Sequence, residues 1–505
     1  MLNDRAIARL NAGLCAVLGL CVFVFIVRSM HWPLVNDASW MHYASFLIDK
    51  GVVPYRDFLD MNMPGSFLVD WLAVHTFGGG ALAWRLFDLA LMGVASLAIF
   101  AIARPYGWFA GVFGASLLIL FHGRDGMGQL GQRDLQMAVL MLVAYAFLFR
   151  ALRTNLTWPM GFFGLAAGMA AMIKPTALPW SAVLLAMAAA TLHRRQLPVA
   201  KKVVVGIVGL LLPMILICAW LWRNHAMAAC LHSLRLMMPY YAAAGRRSIG
   251  YLIRMSMSPS MQVLALAAAV IAWMRRDWRT LEGSALIVGV AFGVASYVLQ
   301  GKGYAYHRYP LVALLMVWVG IECSRALHDR KILRVVGIAG LVYGCLGVAP
   351  LYLRTAIRAR WSEVFITSLQ RDLITIGGEQ LSGQVQCIDS VSGCLTTLYR
   401  MRLLQSAGLL SDVLIFGPAE QQIVRDTQTS FWKAIQARPP RVIVVSSWLH
   451  LINAGDYKKL AMWPEFASYL SANYDVEIER SFPPNMTGQQ GYRVYVLKPL
   501  AASRP

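Results

Sequence analysis

The sequence predicts an all-α polytopic membrane protein of about eleven transmembrane helices, with a small C-terminal extracytoplasmic α/β domain. Three observations predict it. Of 505 residues, 58% are hydrophobic and only 14% charged, whereas a soluble domain of that length needs far more polar surface. The apolar residues are gathered in blocks that approach the roughly 20 needed to cross a bilayer. From about Arg354 these blocks give way to polar, mixed sequence with short apolar runs. Residues 1–353 are therefore read as the membrane domain and 354–505 as the extracytoplasmic domain.

The first block, 14–27, follows a polar start carrying Arg5 and Arg9. Further spans follow it and no small-residue cleavage site does, so it is read as a retained helix rather than a signal peptide. The eleven windows are 12–28, 85–104, 109–121, 135–149, 160–173, 177–192, 203–222, 260–274, 283–299, 309–323 and 335–353. The third, fourth and fifth fall short of a perpendicular crossing, as helices do that open early into a cavity. With the N-terminus inside, the cytoplasmic connections carry Arg104, Arg150, Arg153, Arg194, Arg195, Lys201, Lys202, Arg275, Arg276, Arg279, Arg325, Arg330, Lys331 and Arg334. Short, densely basic connections are what the positive-inside rule asks for. An odd number of spans then puts the tail outside.

The outer loops carry Asp37, Asp49, Asp57, Asp60, Asp70, Asp125 and Asp134. They also carry cations that the topology rule disfavours there: Arg56, Arg124, Arg133, Lys174, Arg246, Arg247, Lys302 and Arg308. Several cations together at a membrane surface suggest a phosphate to be held. In the tail, β-type runs at 385–391, 413–416, Val442–Ser446, 476–478 and 493–497 alternate with helix-like stretches such as Val364–Ile376 and 466–472, the pattern of an α/β domain.

The net charge of +21 would raise nucleic acid as a partner in a soluble protein. Here anchoring loops and anionic headgroups account for it, and there is no RNA-binding signature, zinc-finger spacing or Walker loop. The cysteines form no CxxC pair. Cys15, Cys21, Cys218 and Cys345 lie in apolar runs as filler. Cys387 and Cys394 lie in the tail and could form a disulfide if that tail is outside the cytoplasm.

The first outer loop is the most informative stretch. It reads Asn36-Asp37-Ala38-Ser39-Trp40-Met41-His42-Tyr43, then Gly51-Val52-Val53-Pro54-Tyr55-Arg56-Asp57-Phe58-Leu59-Asp60, then Met63-Pro64-Gly65. A carboxylate at Asp37, just beyond the first span, can accept a proton from an attacking hydroxyl or help to hold a divalent cation. It can equally be a helix N-cap. His42, five residues on, shares its face only loosely. Arg85 and Asp88, three apart, lie on one helical face and pair.

This layout resembles the GT-C glycosyltransferases, in the bacterial branch similar to protein O-mannosyltransferases and the aminoarabinose transferase of lipid A (a family 39-like pattern). The resemblance rests on the acid after span one, the G-x-x-P-Y-x-D-F segment and Pro64-Gly65. It extends to Arg85, Gly131-Gln132-Arg133-Asp134, Ile173-Lys174-Pro175-Thr176 and Gly301-Lys302-Gly303-Tyr304-Ala305-Tyr306-His307. It covers the membrane part at the level of order. Many members carry two adjacent acids in the first loop; here Asp37 is followed by Ala38.

The resemblance implies transfer of a sugar from a polyprenyl-phosphate donor to a lipid, glycan or protein acceptor, with inversion, at the outer face of a bacterial inner membrane. Asp37 inherits the role of catalytic base and Asp134 that of a second acid beside it. Arg56, Arg85, Arg133, Lys174, Lys302 and His307 become candidates for substrate binding. A lysine at membrane depth is costly without a partner, and a lipid phosphate is a good one. Each has a plainer alternative: Arg133 as an interfacial anchor, Lys174 as a snorkelling side chain, Arg85 as a structural partner of Asp88, and Tyr304 and Tyr306 as interface aromatics. No cofactor is certain; a divalent metal ion held by Asp37 and Asp134 stays open. Two other functions fit the hydropathy: a transporter or flippase of lipid-linked saccharides, and a non-catalytic envelope-assembly protein. Neither needs Asp37 as a base, so Asp37→Asn separates them from the transferase.

Overall fold

The computed structural model describes residues 4–154, 156–450, 455–483 and 491–499. Its helices, in chain order, begin with α1 (Asp4–Ser29), α2 (Asp37–Asp49), α3 (Pro64–Phe77), α4 (Ala81–Ala103), α5 (Trp108–Asp125) and α6 (Arg133–Thr154). Next come α7 (Trp158–Ile173), α8 (Ala177–Arg194), α9 (Val199–Arg223), α10 (Met227–Ala243), α11 (Ile249–Ser256) and α12 (Pro259–Arg275). Then follow α13 (Leu281–Gln300), α14 (Tyr309–Ala326), α15 (Lys331–Val342) and α16 (Ala349–Arg358). The tail holds α17 (Val364–Ile376), β1 (Val385–Ile388), α18 (Cys394–Met401), α19 (Gln422–Ala437), β2 (Val442–Ser446), α20 (Pro464–Asn473), β3 (Tyr474–Ser481) and β4 (Gly491–Leu497).

All eleven sequence windows fall on helix. Among the described residues, seven helical segments are long and apolar enough to cross a membrane by themselves, and α11 with α12 forms an eighth only as a pair bent by 76°. The windows 109–121, 160–173 and 177–192 lie on α5, α7 and α8, which are not among those seven. The protein is thus a multi-pass membrane protein. The stretches read as outer loops are themselves partly helical, as α2, α3, α10 and α11.

The chain forms two compact units. The first comprises residues 1–33, 63–219 and 247–359. Its centre is α14, buried along almost its whole length. An apolar helix enclosed on every side belongs at the middle of a bundle, and α4, α5, α6, α12, α13 and α15 pack around it. At one end of these helices Arg153 pairs with Glu282 at 2.7 Å, and Arg275 and Arg325 each lie 3.0 Å from Asp277. Basic residues of three predicted cytoplasmic connections are therefore held by carboxylates.

The second unit comprises residues 34–62, 220–246 and 360–505. It differs from a tail cut at 353 because two segments from within the membrane part fold into it. Their hydrogen bonds give the reason. Tyr43 donates its hydroxyl to Leu403 O at 3.2 Å and accepts from Gln405 N at 3.0 Å. Tyr240 donates to Val413 O at 3.1 Å, and Ser233 to Asp60 O at 2.7 Å. The sheet has the order β1-β2-β4-β3, with β1 and β2 parallel and the other pairs antiparallel. The expected run 413–416 is not a strand: Asp412–Leu414 is a 3-10 turn inside the hydrophobic core of the unit. An unbroken apolar run reports burial, not extension. Cys387, in β1, is bonded to Cys394 at the start of α18.

The ends of the two parallel strands meet at a buried cation. Lys459, with no solvent exposure, lies 2.5 Å from Asp412 Oδ2 and donates to Ile388 O at 2.8 Å and Ser446 Oγ at 3.0 Å. Removing one member of such a pair strands the other charge, a loss of about 3–5 kcal/mol. Lys459→Met should therefore lower the unfolding midpoint of the second unit sharply. Lys459→Met with Asp412→Leu should recover part of that loss. Denaturant unfolding of the full chain, followed through reactivity of the Cys387–Cys394 pair, measures both; equal midpoints for the wild type and Lys459→Met would show that the pair contributes nothing.

Candidate functional site

In the first unit the sequence motifs converge at one end of the bundle. Gly131, at φ +58°, turns the chain into α6; its N–H donates to Asp88 Oδ1 at 2.9 Å. A Cβ on Gly131 would sit 2.4 Å from the Trp84 ring, so only glycine fits. Asp134 thus enters in the first turn of α6, where the helix dipole favours a carboxylate. Lys174 ends α7 in an extended conformation, as a residue before proline prefers. Pro64 opens α3, and Gly65 abuts the Met172 backbone so closely that a Cβ would lie 2.6 Å from its oxygen.

These placements bring three side chains into a ring. Lys174 Nζ lies 3.1 Å from Asp134 Oδ2 and donates to Gln300 Oε1 at 3.0 Å. Gln300 Nε2 donates to Asp134 Oδ1 at 3.2 Å. The Asp134 carboxylate is 1% exposed and the Lys174 side chain 23%. The ammonium is thus held by one hydrogen bond to Gln300 and by the ion pair with Asp134, and keeps an open side. His307 lies in the 3-10 turn Ala305–Arg308 with its ring 4.6 Å from that of Tyr306. It is buried and feels the charges of Asp134, Lys174, Arg133 and Lys302. Arg133 and Lys302 are themselves each 8% exposed. Four candidates from the sequence, Arg133, Lys174, Lys302 and His307, are therefore gathered near a fifth, the Asp134 carboxylate. Gln300 was not anticipated. Its only signal was position, as the last residue of an apolar helix before Gly301.

Arg85 stands apart. Its guanidinium is fully enclosed, pairs with Asp88, donates to Ser29 Oγ at 2.6 Å and packs over the rings of Phe25 and Trp32. Asp88 also accepts from His122 Nε2 at 3.0 Å. This closed network fits the structural pair with Asp88 and leaves Arg85 no face for a substrate.

Asp37 and Arg56 belong to the second unit. Asp37 is the first residue of α2 and is half-buried. Asn36, not Asp37, holds the cap position, at φ 51°, and its carbonyl accepts from Ser39 N and Trp40 N. The capping alternative for Asp37 is therefore displaced by one residue. Tyr55, at φ 68°, carries the chain into Arg56, which pairs with Asp57 at 2.8 Å and donates to Asn224 O at 3.2 Å. Through that hydrogen bond Arg56 holds the Asp57 carboxyl below the usual range. Both line a 330 Å³ cavity with Phe58, Leu409, Thr427 and Phe431. His42 faces into packing, with Nδ1 2.8 Å from Ala38 O and its ring edge-on to Tyr399. Among the described residues no group of three or more His, Cys, Asp or Glu side chains could hold a metal ion. Asp134, the one carboxylate among those five candidates, is ion-paired with Lys174, and a single carboxylate already paired with an ammonium does not make a metal centre.

No protein-family model matches the chain, and no curated protein sequence does. Solved structures do share its fold. ArnT from Cupriavidus metallidurans, bound to undecaprenyl phosphate, aligns with 95% of this chain and 97% of its own at 14% identity, with a TM-score of 0.62. The oligosaccharyltransferase of Archaeoglobus fulgidus, tethered to an acceptor peptide, aligns with 95% of this chain and 74% of its own at 10% identity, with a TM-score of 0.55. At such identities the likeness establishes that the chain shares the fold of these two proteins.

Burial lowers the His42 pKa to about 4, with Arg402 adding to the effect. The folded protein therefore binds fewer protons than the unfolded chain once pH drops below about 6.5, and stability falls from there toward pH 4. The full loss is roughly 3 kcal/mol at about 1.4 kcal/mol per pH unit. Thermal unfolding between pH 7.5 and 4.5 should show a steeper acid-side decline for the wild type than for His42→Phe. Parallel declines would mean that His42 does not titrate between the two states.

Proposed function

We propose that the chain is an integral-membrane glycosyltransferase that moves a sugar from a polyprenyl-phosphate donor to an extracytoplasmic lipid, glycan or protein acceptor, with inversion. The observation that carries this reading is the ring of Asp134, Lys174 and Gln300 with Arg133, Lys302 and His307 around it. Lys174, paired with Asp134 and bonded to Gln300, keeps an exposed side that a phosphate oxygen can take. The likeness to ArnT bound to undecaprenyl phosphate, and to an archaeal oligosaccharyltransferase in complex with a dolichol-phosphate, supports a lipid-phosphate ligand.

On this reading Lys174, Lys302 and Arg133 hold the donor phosphate. Asp134 and Gln300 position the Lys174 ammonium before substrate arrives. Preorganised charge of this kind stabilises a leaving phosphate without reorganising in the transition state. The acceptor oxygen attacks the anomeric carbon, and the bond from that carbon to the phosphate oxygen breaks. Its electron pair departs on the polyprenyl phosphate, and the acceptor proton passes to Asp37. A single displacement of this kind inverts the anomeric centre. A phosphate leaves without the acid help that a glycosidic oxygen needs. The Cys387–Cys394 bond supports a tail on the oxidising side of the membrane.

Purified protein incubated with a panel of polyprenyl-phosphate sugars should consume one of them when the matching acceptor is present. Asp37→Asn is nearly isosteric. It should cut turnover about a hundredfold or more while changing donor affinity little, because a base acts mainly in the transition state. Full transfer by Asp37→Asn would remove Asp37 as the base; no consumption of any donor would remove the transferase reading.

A further inference from the structure

A second basic site lies in the first unit, on the far side of Arg85. A 300 Å³ pocket is lined by Phe25, Val27, Arg28, Ser29, His31, Trp32, Ala356, Ile357 and Ala359, at the adjoining C-terminal ends of α1 and α16. We propose that this pocket takes the phosphate-bearing headgroup of an anionic membrane lipid, and that it is separate from the Asp134 site.

The charge is the first argument. Arg28 and His31 line the pocket, Arg358 sits between the lining residues Ile357 and Ala359, and Arg354 lies one turn below it. All four are exposed, and among the described residues no carboxylate pairs with any of them. By contrast, Arg124 and Arg308, at another predicted outer position, have Asp125. Three unneutralised arginines, Arg28, Arg354 and Arg358, gathered where the proposed topology disfavours them call for an anion.

The surroundings select a lipid over a free anion. Leu20, Phe23 and Val27 share one face of α1 and are 64%, 65% and 49% exposed. Leu346 and Ile357, eleven residues apart and so on one helical face, are 55% and 43% exposed. Val27 and Ile357 also line the pocket, so two apolar stripes run up to it, one on each wall. Acyl chains lie along such stripes while a phosphate reaches the basic rim.

The floor is preformed. Phe25 and Trp32 clasp the Arg85 guanidinium at 5.1 and 5.5 Å, and Ser29 is tied to Arg85 and to Phe25 O. The Arg85–Asp88 network, which has no face for the donor, thus acquires a role as the support of this pocket.

The experiment titrates detergent-purified full chain with phosphatidylglycerol, with phosphatidylcholine of the same acyl chains, and with glycerol 1-phosphate, reading bound ligand by native mass spectrometry. Phosphatidylglycerol should bind about tenfold or more tightly than phosphatidylcholine, at roughly 1 kcal/mol per basic residue near the headgroup. Glycerol 1-phosphate should not displace it. The double variant Arg28→Gln, Arg358→Gln should lose about tenfold in affinity, and the same loss should appear in a Lys174→Met background, where the donor site is disabled. In the wild type, phosphatidylglycerol with a photoreactive headgroup should label residues 25–32 or 356–359. Equal binding of the zwitterionic lipid, displacement by glycerol 1-phosphate, unchanged affinity in the folded double variant, or labelling confined to other segments would each overturn the proposal.

Discussion

Asp134 and Lys174 face each other at 3.1 Å, the carboxylate fully buried, and that buried charge could not remain there alone. A carboxylate or an ammonium taken out of water costs several kcal/mol unless paired and hydrogen-bonded. The Gln300 amide completes both partners at once, giving a hydrogen to the carboxylate and taking one from the ammonium. The helix ends must therefore meet: the first turn of α6, the residue that follows α7, the last residue of α13 and the turn before α14. Gly131 and Pro175 are the local devices that put the charged residues there. As a stabilising feature such a pair is weak, because a well-packed apolar replacement can do as well. Its value lies in holding a cation with one side open.

The residues proposed to hold the phosphate lie in the first unit, whereas Asp37, the proposed base, rides on α2, a helix that folds into the second unit with the tail. The Tyr43 hydroxyl, bonded on both sides to the 403–405 backbone, ties that helix to the tail. The polar tail is thus more than an appendage: it supplies the framework on which the candidate base stands. Its own core depends on a buried ion pair, Lys459 with Asp412, at the ends of its parallel strands.

Much of this was legible in the sequence, for reasons that can be named. Apolar blocks of near-spanning length can only be helices in a bilayer, and each of the eleven windows is helical. The number of true crossings was less legible, because α5, α7 and α8 do not combine length and apolarity sufficiently on their own. The helices α2 and α10 were not delimited in the sequence, because they owe their form to packing in the second unit, which periodicity within a loop does not report. At the site, charged residues at span ends gave Asp134, Lys174, Arg133 and Lys302, since charge at membrane depth is conspicuous. Gln300 escaped because an uncharged amide at a helix end is ordinary. The spacing of Arg85 and Asp88 already indicated a structural pair, and burial of Arg85 bears that out over its placement among the substrate-binding residues.

The most direct measurement is the affinity of undecaprenyl phosphate for the wild type, Lys174→Met, Asp134→Asn and the double variant. If Asp134 acts by holding Lys174 toward the phosphate, Lys174→Met weakens binding about tenfold or more, and Asp134→Asn changes nothing further once Lys174 is gone, which is the non-additivity expected of residues in contact. Unchanged affinity in Lys174→Met, or independent additive losses from the two substitutions, would contradict a preorganised phosphate site built on this pair.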